Sequence, residues 1–363
     1  NVYLGNNAGK GNTTTSNAIM IGQATGENIS GGANIFIGCA AGQGTGTAAD
    51  NDAAHNVAIG YEAGKTLTDG DRNIFIGRDA GSSVTTGCNN IYLGYFAGKY
   101  NAGTHCNIAI GLEAAHKMGD GSNNISIGTN SGSQNGTATD NNAANNISIG
   151  QNAGCCLTDG DYNIILGKNA GDALTSGGNQ IAIGCNALSS EDTNTNGQIA
   201  IGQGALALAN TTSLGSVAIG NGAGGSVTTG GENTYIGYSA GSGNTGSKNT
   251  VMGTLALTAS GSGEENVVIG RDAGRNTTGS QNTIVGDAAG DASGDGSFNT
   301  FIGKNSGSAV TDGDKNTFLG YGSGDAVTTG CCNVVLGHGA DVASATGNTQ
   351  LAIGCGSSYW ITG

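Results

Sequence analysis

The chain has 363 residues, 71 of them glycine and none proline, with 26 acidic against 12 basic residues and a formal net charge of −14. Collagen needs glycine at every third position and abundant proline, so it is excluded, and the shortage of cations argues against a nucleic-acid partner and against a polybasic membrane-surface binder. No run of eighteen apolar residues occurs, so no membrane insertion is expected, and the lack of proline suits a backbone whose N–H groups are needed as ladder donors.

The sequence starts inside a pattern, at Asn1-Val-Tyr-Leu-Gly, and reads as a mature product or an excised fragment. An Asn-aliphatic-x-aliphatic-Gly run recurs from there to Gly354. Counted on the closing glycine (Gly5, Gly22, Gly38, Gly60, Gly77 and onward), there are 21 units, and thirteen of the 20 intervals are 17 residues. A fixed period of this length means stacked coils. The expected fold class is all-β: a parallel β-solenoid of about 21 coils of about 17 residues, forming one continuous repeat domain over residues 1–363.

Positions are numbered here from the anchor glycine of each coil. Positions −3 and −1 are aliphatic or Thr, as at Ile74 and Ile76, and position −2 varies freely, as at Ala58, Phe75, Tyr92 and Ser126. This period-two alternation predicts a short strand with positions −3 and −1 inward and −2 outward. The aromatics at Tyr3, Phe36, Phe75, Tyr92, Tyr235, Phe301 and Phe318 then form an outward column, read as a subunit interface. Position −4 is Asn in 16 of 21 units, and Asn73, Asn90, Asn107 and Asn124 are expected to stack as a hydrogen-bonded ladder. A second apolar point at position +7, as at Leu67, Val84, Leu157, Leu174, Val227, Val310 and Val327, predicts a second, shorter strand. An isolated coil of this size buries too little to stand alone, so stacking, and a core shared between chains, are expected to stabilise it.

Two intervals are 22 residues long, which places side-loop insertions near 44–55 and 135–145. The loops are alike, Gly-Thr-Ala-Ala-Asp-Asn from Gly46 and Gly-Thr-Ala-Thr-Asp-Asn from Gly136, and point to a duplication of several coils. Such insertions leave a solenoid on one face, often the face that meets a partner.

Motifs that resemble catalytic or phosphate-binding signatures dissolve into the repeat. Gly237-Tyr-Ser239-Ala-Gly241 fits a nucleophile elbow, but the serine's slot holds Glu62, Asp79 or Asn152 in other coils. Gly60 to Thr66 is one residue short of a P-loop. No catalytic or cofactor residues are assigned, and an enzyme is not expected. Thr-Asp-Gly-Asp recurs, and Asp69, Asp71, Asp159, Asp161, Asp312 and Asp314 are the candidate calcium ligands. Only two carboxylates meet per site against the six to eight oxygens that calcium takes, and Asp-Gly turns account for them without metal. Among nine cysteines no C-x-x-C occurs, and Cys88 and Cys106, in adjacent coils, are the candidate disulfide. Asn28 and Asn210 head glycosylation sequons that matter only in a chain secreted by a eukaryote.

The stretches Asn107-Ile-Ala-Ile-Gly-Leu-Glu-Ala, Gln198-Ile-Ala-Ile-Gly-Gln-Gly-Ala-Leu and Asn233-Thr-Tyr-Ile-Gly-Tyr-Ser-Ala-Gly resemble the repeats of phage tail-fibre and tailspike proteins, of the kind found upstream of endosialidase-type intramolecular chaperones. They are also similar in pattern to the heads of trimeric autotransporter adhesins. The resemblance covers essentially the whole chain. It implies a parallel homotrimer, exposure outside the cell or on a virion, and attachment to a host. The family's capsid-proximal anchor, receptor-binding tip and chaperone are not read within these 363 residues, as expected of an excised fragment or, for the chaperone, of its release. The function expected is a shaft or adhesin segment of an extracellular fibre, partnered by its own copies and by a host glycan or surface protein. A rival reading is a filament subunit stacking end to end, since both ends are expected to expose unpaired coils without a polar cap. A second rival, a polysaccharide-degrading β-helix enzyme, calls for larger coils and a clustered acidic cleft.

Overall fold

A computed structural model describes residues 1–12, 15–133, 142–190, 196–209 and 215–363. Most of the second expected insertion (135–141) and the sequon at Asn210 lie outside the described residues. The chain is an all-β parallel solenoid and divides into two compact units, Asn1–Ala182 and Ile183–Gly363.

In the first unit, β1 (Val2–Leu4), β2 (Ile19–Ile21), β3 (Ile35–Ile37), β4 (Val57–Ile59), β5 (Ile74–Ile76), β6 (Ile91–Leu93), β7 (Ile108–Ile110), β8 (Ile125–Ile127), β9 (Ile147–Ile149) and β10 (Ile164–Leu166) each pair in parallel with the next. The register stacks like on like, as in Ile74 on Ile91, Phe75 on Tyr92 and Ile76 on Leu93. β11 (Ile181–Ile183) falls at the division. In the second unit, strands from β12 (Ile199–Ile201) to β20 (Val334–Leu336) repeat the arrangement.

Among the described residues each coil before the last forms one strand, not the expected two. Around Gly77 the reason is visible in the backbone. Gly77 has φ +133°, Asp79 +57° and Gly81 +58°, so the chain turns repeatedly and leaves no extended run before position +7. The apolar residues at +7 are nevertheless interior, and Leu67, Val84, Leu157, Leu174, Val227, Val310 and Val327 are all buried. A side chain at the anchor is impossible: a Cβ on Gly60, Gly77 or Gly94 would strike the carbonyl of the next anchor glycine.

The facing of the strand is the reverse of the expectation. Position −2 points inward, and Phe36, Phe75, Tyr92, Tyr235, Phe301 and Phe318 are fully buried, while Tyr3, in β1, is partly exposed. Positions −3 and −1 point outward. A 17-residue coil encloses room for one strand side chain, and that side chain is the variable one. An aromatic here always has glycine at position +4, while a small residue has either glycine, as Gly64 behind Ala58 and Gly224 behind Ala218, or a larger residue. Glycine stands there behind Met20, Phe36, Phe75, Tyr92, Tyr235, Phe301 and Phe318, whereas Ala115, Leu206 and Leu257 stand behind Ala109, Ala200 and Val251. Glycine leaves the room that a ring fills.

The asparagine column is interior and carries the stacking. Each Oδ1 accepts the backbone N–H of the asparagine one coil later: Asn73 from Asn90 at 2.9 Å, Asn90 from Asn107 at 3.0 Å, Asn107 from Asn124 at 2.7 Å. Each Nδ2 donates to a carbonyl of that next coil, Asn73 to Gly87 and Asn90 to Thr104, both at 2.8 Å. The expected ladder is present, with a backbone amide as its main rung. The same pattern runs in the second unit from Asn233 to Gln350.

The first insertion leaves the coil as expected, with a short 3-10 turn at Ala48–Asp50. Buried Asn51 pins it, its Nδ2 donating to Asn28 O at 2.7 Å and Thr45 O at 2.5 Å. At the other end of the chain, β21 (Leu351–Cys355) is followed by β22 (Ser358–Thr362), which folds back antiparallel and takes the edge of β21. The expected unpaired coil is therefore covered at that edge.

Candidate interaction face and the side-chain columns

The outward positions −3 and −1 make an uncharged strip in each unit, aliphatic throughout in the first and interrupted in the second by Thr234, Thr250, Thr283, Thr300 and Thr317 at position −3. Across all 21 coils neither column contains Asp, Glu, Lys or Arg, in a chain with 38 charged residues (26 acidic and 12 basic). Their exposure is substantial, 40% at Ile76, 41% at Met252 and 48% at Leu319, against 0% at Phe75 between its neighbours. Ile74, Ile110 and Ile164 in the first unit, and Ile219, Ile269 and Ile302 in the second, belong to the same strip. A recurring, uncharged and partly exposed strip of this kind is a candidate interaction face.

The recurring aspartates have a structural use that spacing alone did not reveal. In several coils the side chain at position −6 accepts from the backbone N–H at position −6 of the preceding coil, whereas Gly32, Ala54, Ala144 and Gly231 have no side-chain acceptor to offer. Asp71 Oδ1 accepts from Ala54 at 2.8 Å, Cys88 Sγ from Asp71 at 3.3 Å, His105 Nδ1 from Cys88 at 3.0 Å and Ser122 Oγ from His105 at 3.1 Å. Asp161 does the same for Ala144, and Asp314 for Ser297. Three of the six calcium candidates, Asp71, Asp161 and Asp314, thus serve as acceptors for the main chain, and Asp69, Asp159 and Asp312 sit two residues earlier in the same turns. Among the described residues, no three His, Cys, Asp or Glu side chains come together as a metal site.

Cys88 and Cys106, the candidate disulfide, are free thiols. Their coils meet through Cys106 N–H donating to Cys88 O at 3.0 Å. Ser239 of the elbow-like motif sits in a turn with φ +50°, its N–H on Asn221 O. Lys65 of the P-loop-like stretch is paired with Glu62 at 2.9 Å. The position −6 column escapes sequence reading because Asp, Cys, His and Ser share only an acceptor atom.

Comparison with protein-family models, with characterised proteins and with solved structures found no match.

Proposed function

We propose that this chain is a shaft segment of an extracellular fibre, on a virion or a cell surface, in which three parallel copies join side by side over the uncharged strip. Its work is mechanical reach and display for attachment to a host, without catalysis. The observation that carries the reading is the charge-free, partly exposed strip of positions −3 and −1, repeated coil after coil. A partner that covers such a strip row by row must share its coil spacing, and a second copy of the same solenoid does. Three as the number comes from the resemblance to phage tail-fibre repeats. Side-by-side assembly is favoured over end-to-end stacking because β22 already occupies the edge of β21. Native mass in solution tests the proposal, together with variants that place a charge in the strip.

A further inference from the structure

The shaft reading leaves unused a cluster in the first unit, in the turns that follow the strands. Position +2 is left-handed in most coils and usually holds Asn, Asp, Glu, Ala or Gly; at residue 96 it holds Phe, with φ +59°. A bulky side chain in that region is strained, and such strain gathers at functional sites. The Phe96 ring lies 3.9 Å from Tyr95 and 5.9 Å from His116 between centroids, with Lys99 Nζ 4.0 Å from its centre. Tyr100, 40% exposed, meets His116 edge-on at 5.0 Å. His116 Nε2 is buried with no hydrogen-bond partner, and burial holds the ring's pKa below the ordinary histidine value. His116 also lines a groove with Glu113, Lys117, Asn130 and Asn152. Along that groove the position +2 side chains turn polar, Asn130 donating to Asn152 at 3.4 Å and Asn152 to Asn169 at 3.1 Å.

Residues 61–117 contain five cations and five anions, so this stretch is neutral while the remaining residues hold 7 cations and 21 anions, the whole −14. The cations here have acids beside them, Lys99 at 3.8 Å from Asp79 and Lys117 with Glu113 in the groove, and aromatic faces, amides and an imidazole in a stretch without net charge match a sugar: its C–H face packs on a ring and its hydroxyls bond the planar polar groups. We infer that the Phe96–Tyr100–His116 cluster and its groove dock a neutral glycan. The inference rests on the attachment part of the proposed function and gives it a place, but it needs no particular assembly.

The test is affinity electrophoresis of the full chain through gels containing a β-glucan, a mannan or a galactan, with alginate as the polyanion. Phe96→Asn and Tyr100→Ser install residues that other coils carry at the same positions, Asn130 and Ser83, and are expected to fold, Phe96→Asn with an unchanged or higher Tm. The expected result is retardation by at least one neutral polysaccharide, weakened about tenfold or more in either variant. No retardation by any neutral polysaccharide, retardation by alginate alone, or unchanged retardation in both variants overturns the inference. A chain that binds no glycan yet has the mass of an assembly refutes the docking site and leaves the shaft standing.

Discussion

The Phe36 ring lies so close over Gly42 that a Cβ on that glycine would sit 2.5 Å from its Cε2. Gly42 has φ +52°, so a side chain there meets both the ring and an unfavourable backbone region. Gly42→Ala is expected to cost about 2–4 kcal/mol, from overpacking and left-handed strain together. Chemical denaturation followed by circular dichroism measures it. An unchanged midpoint means that the ring is free to move aside.

The asparagine ladder makes a sharper demand. Removing the Asn90 side chain strands the Asn107 N–H, whose acceptor is Asn90 Oδ1, and the Thr104 carbonyl, both in the interior. Asn90→Ala is expected to destabilise by about 2–4 kcal/mol, as two buried groups lose their partners. Hydrogen exchange at Asn107 should accelerate with it. Normal protection there contradicts the role given to the rung.

Acid should act on Asp172 with a defined sign. Burial raises its carboxyl above the ordinary 3.8, and its Oδ1 has no hydrogen-bond partner. A raised acid contributes stability that is full below 3.8 and is lost as pH rises through the folded-state value. Asp172→Asn is therefore expected to raise Tm at pH 7 and to lose that advantage as pH falls below the ordinary aspartate value. Equal effects at both pH values rule out the carboxylate as the cause.

The period, the asparagine ladder and the burial of Leu67 and Val84 were legible in the sequence, because each rests on a repeated residue type at a fixed spacing. The facing of the strand was not. Alternation has two phases, and hydrophobicity pointed to the wrong one: Ile74 and Ile76 are more constant than Phe75, yet they face outward. A signal was present in the glycine that stands at position +4 behind every aromatic at position −2, as Gly81 behind Phe75, a clearance that only side chains sharing one interior need. The outward columns that stay uncharged are what the proposed assembly would cover. The position −6 acceptors stayed hidden because Asp71, Cys88, His105 and Ser122 belong to no common residue class.

A charge in the strip separates a covered face from a bare one. Ile76 is 40% and Ile110 36% exposed on the single chain, so Ile76→Lys with Ile110→Lys should shift a lone chain by only about 0.5 kcal/mol per site. In an assembly joined over that strip the same pair buries unpaired ammonium groups, and the expected result is dissociation. Retention of the native mass by the double variant places the contact elsewhere.

The most direct test of the account is the native mass by light scattering, with and without reductant. Side-by-side assembly of three copies predicts three times the 35.3 kDa chain mass, unchanged by reductant. A mass of 35.3 kDa would contradict it and leave the uncharged strip bare in solution.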